Sequence, residues 1–341
     1  MRAIRVRAAG AVLLLLGGSV AVAGSLAAPA GAATFNVINA NDSGAGSLRQ
    51  ALTDAAGIAG PNTVVVQAGL GTIVLDSEIS WSSSAAVTIT GNGATVNLNG
   101  QPRGLVDAAG KGVTVDGLTL TGGSGTAPHD AGAIVSEGGT MTVSNCTISN
   151  NHLTATAGDV AGGLLSEGGA VSITGCTITG NTATGVNDAA GGVVSEGGAV
   201  IVASSTISHN TGTTSGGDAG GGVLSEGGPV TGRTPHIDCN SATTSGDGSD
   251  AGGGIASEGG NVTTNDGSIV GNTASATGGG TATGSVLIKG ATASLGNTTV
   301  SDSTATCTAP VTTTTTAPAT TTTTAAPAAA QAVTATPALT G

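Results

Sequence analysis

Two kinds of acidic residue recur together five times in this chain. The stretches are DAGAIVSEGG from Asp130, DVAGGLLSEGG from Asp159, DAAGGVVSEGG from Asp188, DAGGGVLSEGG from Asp218 and DAGGGIASEGG from Asp250. Each supplies one aspartate beside glycines and one glutamate, Glu137, Glu167, Glu196, Glu226 or Glu258. Carboxylates stacked at a fixed spacing suit hard cations such as Ca²⁺, and a converging pair suits acid catalysis on sugars. If neighbouring copies lie about 4.8 Å apart in water, like charges repel by roughly 0.9 kcal/mol per pair before screening. The ladder must therefore be relieved by salt, by splayed side chains or by bound cations. Weak Ca²⁺ binding on the glutamate face and a plain solvated face are the two readings.

A second candidate patch is Arg233, His236 and Asp238, the irregular spot in the repeats and the place to look for an enzyme. The other histidines, His129, His152 and His209, are scattered, and the repeats lack aromatic platforms for sugar rings. Cysteine is the third kind of reactive residue. Cys146 and Cys176 occupy equivalent inward positions one repeat apart, within reach of a disulfide, so they form either that bond or two stacked thiols. Cys239 and Cys307 have no partner assignable from spacing, and no zinc-type spacing occurs.

What positions these residues is the repeat itself, of roughly 30 residues, which is the mark of a solenoid. The second glycine of each SEGG is followed at a constant interval by an asparagine: Gly139 to Asn151, Gly169 to Asn181, Gly198 to Asn210, Gly228 to Asn240 and Gly260 to Asn272. Length varies only between that asparagine and the next aspartate, which predicts a free loop there. Within the constant part apolar residues alternate, as Val171, Ile173, Cys176 and Ile178 do, with a bend at Gly175 between two short strands. A third strand carries the Ser-Glu pair. Burying unpaired carboxylates costs far more than burying serines, so the glutamates must face out and Ser136, Ser166, Ser195, Ser225 and Ser257 in. The same parity puts Val135, Leu165, Val194, Leu224 and Ala256 outside, where the loops after each asparagine are expected to cover them. Three strands per coil and bends rich in Gly and Asn predict an all-β chain, a parallel β-helix of about nine coils.

The ends differ from the repeats. Residues 1–33 read as a secretory signal peptide, with Arg2, Arg5 and Arg7 before an apolar run and Ala30-Gly31-Ala32 as the cleavage site. Export removes three of eight basic residues and none of twenty acids, taking the formal charge from −12 to 5 − 20 = −15. That charge argues against nucleic acid and anionic lipid as partners. Residues 34–60 hold a strand and an amphipathic helix, Leu48 to Ala56 with Ser47 as N-cap, suited to covering the open end of a β-helix. Residues 61–307 form the β-helix. Residues 308–341, rich in Thr, Ala and Pro, cannot form a core and read as a disordered spacer.

NDSGAGSLRQAL, PNTVVVQ and VTITGNGATVNLNG, together with coils such as GGVVSEGGAVIVASSTISHN, resemble bacterial secreted and surface right-handed parallel β-helix repeat proteins across roughly residues 34–307. The inward asparagine of that family is serine here, at the five Ser-Glu positions. The resemblance implies the fold and a secreted or surface location. The expected role is structural or adhesive, at or beyond the cell wall, without catalytic residues or a cofactor. The expected partners are glycans or a host or neighbouring cell surface, and the expected state is a monomer. A polysaccharide lyase or hydrolase is the alternative. Outward Thr/Ser pairs at Thr88 and Thr90, Thr119 and Thr121, Thr147 and Ser149, Thr177 and Thr179, and Thr206 and Ser208 add a remote third reading, ice binding.

Overall fold

The computed structural model describes residues 31–302 and 307. The proposed signal segment up to residue 30 and the proposed spacer at 308–341 lie outside the described residues. What is described is the expected parallel β-helix of about nine coils.

One coil shows how the sequence makes it. Leu164–Glu167 forms a strand on the glutamate wall, and the SEGG turn leads to Val171–Thr174 on a second wall. The bend at Gly175, at φ +62°, leads to Thr177–Thr179 on a third wall. The next coil repeats each strand in parallel register, with Glu167 beside Glu196, Val171 beside Val200 and Thr177 beside Thr206. Inward Leu164, Val171, Ile173, Cys176 and Ile178 are buried and belong to one apolar column running the length of the helix. Aliphatic side chains from successive coils stack there, which is how a coil too small to bury its own apolar face is stabilised.

The turn is fixed by local chemistry. Ser166 Oγ donates to Gly169 O at 2.9 Å, and the other four serines do the same for their own turns at 2.8–3.1 Å, so the buried hydroxyls are satisfied. The second glycine is required by proximity: a Cβ on Gly228 would lie 1.9 Å from the carbonyl oxygen of Gly198.

The segment after each asparagine corrects the expectation of a free loop. It forms two further strands, Thr182–Gly185 and Ala189–Ala190, which stack on their counterparts in six-stranded and five-stranded parallel sheets. Its sequence lacks alternating hydrophobicity. The order comes instead from backbone hydrogen bonds between coils, such as Thr182 N–H to Asn151 O at 2.7 Å and Thr211 N–H to Asn181 O at 2.8 Å. The second strand folds back over the outer face of the glutamate wall. There Ala161 and Ala190 cover Val135, Leu165, Val194, Leu224 and Ala256 in a second apolar cluster, so the outward column is buried by its own chain as expected.

At the N-terminal end, Leu48–Ala56 is helical. Ser47 accepts from the amide of Gln50, and Leu48, Ala51, Leu52 and Ala55 face the core. Asn62, itself buried, donates to Ala55 O and Ile58 O at 2.7 Å and closes the helix exit. Among the described residues no helix is long and apolar enough to cross a membrane.

Candidate functional site

Of the two readings of Cys146 and Cys176, the structure has the stacked thiols and not the bond. Cys146 and Cys176 are free, buried thiols, and the bond joins Cys239 to Cys307 with Cα atoms 5.4 Å apart. The reason lies in the bend between the second and third walls. Each sulfur accepts an amide of the preceding coil, Leu118 N–H to Cys146 Sγ and Cys146 N–H to Cys176 Sγ, both at 3.4 Å. Each thiol donates back to a carbonyl of its own coil, Ser144 O at 3.1 Å or Thr174 O at 3.3 Å. Ser205 continues the column, accepting from Cys176 N–H at 3.0 Å and donating to Ala203 O at 2.8 Å. The two cysteines therefore do a serine's work of satisfying buried backbone groups.

Asparagines form a ladder that sequence reasoning missed. Asn151, Asn181, Asn210, Asn240 and Asn272 are buried at the corner after the third wall. The Nδ2 of each of the first four donates to the Oδ1 of the next at 3.0 Å. The constant Gly-to-Asn interval was the available signal.

Of the enzyme-candidate patch, His236 and Asp238 come together and Arg233 stands on another wall. His236 and Asp238 stand on the third wall, each bonded to Ser268 of the next coil, His236 Nδ1 at 2.9 Å and Asp238 Oδ2 at 2.8 Å. Asp238 Oδ1 accepts Val270 N–H at 3.0 Å. Arg233 ends a strand of the second wall and is exposed. The Thr/Ser array is also split. Thr88 and Thr90 belong to the second wall, beside Thr114 and Asp116, whereas the other four pairs stand on the third. Next in register come His236 and Asp238.

The two acidic ladders do converge. Each aspartate enters the folded-back strip, and the Oδ1 of the first four accepts the amide of the next: Asp159 N–H to Asp130 at 2.8 Å, Asp188 to Asp159 at 3.0 Å, and Asp218 to Asp188 and Asp250 to Asp218, both at 2.6 Å. Four of the five glutamates reach across from the wall to the aspartate of the preceding repeat, giving the hydrogen-bonded pairs Glu167–Asp130, Glu196–Asp159, Glu226–Asp188 and Glu258–Asp218. Two carboxyl groups bonded in this way share a proton. The Asp159 and Asp188 contacts, with partial burial, push Glu196 and Glu226 up to about 9. Burial and Asp130 push Glu167 up to about 7. Glu258 also rises to about 7 through Asp218 and burial, against the pull of Lys289. Asp159, Asp188, Glu196 and Glu226 line a shallow cleft of about 440 Å³ with Asn187, Gly216 and Gly217.

Among the described residues, the salt bridges of this trough are confined to its ends. Arg103 lies 3.1 Å from Glu137 and 3.6 Å from Glu78. Lys289, which takes the glutamate's register position beside Glu258, lies 2.6 Å from Asp250, 3.0 Å from Glu258 and 3.8 Å from Asp218. Burial opposes ionisation of Asp250, yet the Lys289 ammonium and the Thr281 amide hold its carboxyl below the usual range. Asp218, Asp250 and Glu258 are the described group gathered closely enough to hold a metal ion, and the ammonium already stands among them. The ladder is thus relieved in a way not anticipated, by shared protons in the middle and a fixed cation at each end.

No known family matches the sequence, and no curated protein does.

Proposed function

We propose that this chain is an exported β-helical rod whose work is structural or adhesive at or beyond the cell surface, with glycans of a host or neighbouring cell as partners. The observation that carries the reading is the equivalence of the coils. Four glutamates meet four aspartates in the same way, one repeat after another. A catalytic centre assigns different tasks to its acid and base and so needs one place unlike the rest. The Cys239–Cys307 bond supports export, because disulfides persist in oxidising compartments.

One observation favours the alternative of a polysaccharide lyase or hydrolase. Glu196 and Glu226 hold protons at neutral pH beside a cleft, as a general acid does. A glycan array probed with the mature protein, run alongside a polysaccharide panel assayed for new reducing ends or unsaturated products, separates the two. Glycan binding without turnover is expected. Turnover that is lost in Glu196→Gln would replace the rod by the enzyme.

A further inference from the structure

The folded-back strip lies on the glutamate wall through two layers of contact. Beneath it, Leu165, Val194 and Leu224 pack with Ala161 and Ala190 in an apolar seam. At the margin of that seam the strip presents its aspartates and the wall its glutamates, joined as carboxyl pairs. We propose that the strip is a flap held down where its aspartates meet the glutamates of the wall across the cleft, and that ionising these carboxyl pairs loosens the flap and bares the seam.

The charges facing one another are all of one sign through the middle of the trough. The strip contributes Asp130, Asp159, Asp188, Asp218 and Asp250, and the wall contributes Glu137, Glu167, Glu196, Glu226 and Glu258. Arg103 compensates Glu137 at one end, and Lys289 compensates Asp218, Asp250 and Glu258 at the other. Among the described residues the pairs Glu196–Asp159 and Glu226–Asp188 have no cation beside them, and between the two carboxyl groups stands only the proton. With it, a carboxylic acid donates to a carboxylate. Without it, two carboxylates repel at hydrogen-bonding distance on facing layers. The walls do not depend on this link, being held by aliphatic packing and by hydrogen bonds along the helix axis; the strip shares such axial bonds, and its Val160 and Ala189 also pack with Leu153 and Ala183.

The direction follows from linkage. The closed flap holds protons on Glu196 and Glu226 up to about 9, whereas a free glutamate gives its proton up near 4.5. Closure is therefore fully supported below about 4.5 and loses that support as pH rises through about 9. Between those limits the open fraction rises about tenfold per pH unit for each proton released.

Hydrogen–deuterium exchange of the whole protein from pH 6 to 9, corrected for the intrinsic pH dependence of exchange, tests the flap. Amides of Ala189, Ala190, Ala219 and Gly220 are expected to lose protection about tenfold per pH unit, while those of Val171–Thr174 hold theirs. A glutamine keeps a donor at every pH, so Glu196→Gln/Glu226→Gln is expected to flatten the dependence. Asp159→Asn/Asp188→Asn keeps the Oδ1 acceptor, places a donor on the other side and should flatten it too. Strip protection independent of pH in the unmodified protein, an unchanged slope in both double variants, or strip and wall opening together would overturn the proposal.

Discussion

Asn210 Nδ2 stands 3.0 Å from Asn240 Oδ1, one coil away, and also donates to Ile178 O at 2.9 Å. Its own Oδ1 accepts both the amide and the Nδ2 of Asn181, each at 3.0 Å. Four hydrogen bonds thus meet on one fully buried side chain. Asn210→Ala would leave buried donors and an acceptor unpaired in both neighbouring coils. Urea unfolding should show a loss of about 3 kcal/mol, against a few tenths for a change at exposed Ile201.

Lys289 is half exposed, but the Asp250 side chain it meets is only 3% exposed. Lys289→Met keeps the length of the side chain and removes the charge. The expected loss is about 1–3 kcal/mol by chemical denaturation at pH 7, the cost of leaving a buried carboxylate without its partner. Stability unchanged within 0.5 kcal/mol, the usual scatter for surface substitutions, would show that the ammonium is not needed there.

The disulfide assignment is checked by counting thiols in the described part of the chain. Denaturation without reductant should expose two thiols, Cys146 and Cys176, and denaturation with reductant four. The bond closes a separation of 68 residues, so Cys239→Ser/Cys307→Ser should cost about 4 kcal/mol by the chain-entropy relation.

Stability against pH should peak on the acid side of neutrality. Glu167, Glu196, Glu226 and Glu258 take up protons on folding, which favours the folded state most below about 4.5 and progressively less toward about 9. Asp116, held below the usual carboxylate range by Ser144 and Asn145, works the other way and loses its contribution as pH falls below 3.8. Melting temperature should therefore be highest near pH 4–5, where these opposing trends meet. A maximum at pH 8 or above would contradict the shared protons.

Calcium should act only where those protons have gone. At pH 5 excess chelator and millimolar Ca²⁺ should give the same melting temperature. At pH 9, carboxylates of adjacent coils are free to bridge a cation, and Ca²⁺ should raise the melting temperature by a few degrees. Equal melting temperatures at both pH values would dispose of the cation reading of Glu137, Glu167, Glu196, Glu226 and Glu258.

The repeat alone determined the coil, its register and the side on which each residue of the core stands. Period-two alternation and the cost of burying charge are local properties, and they are enough to send Ser166 inward and Glu167 outward. The buried corner asparagines were marked by their spacing, but their mutual hydrogen bonds appear only when the coils are stacked. Tertiary structure decided the rest. Glu196 meets Asp159, 37 residues earlier in the chain, because the strip doubles back over the wall. Cys176 Sγ accepts the amide of Cys146 because the coils stack in register. Cys239 meets Cys307 because Cys307 stands against Gly271, at the corner one coil beyond Cys239. The first depends on where a segment without hydrophobic periodicity is laid down, and backbone hydrogen bonds between coils, not side-chain pattern, set that path.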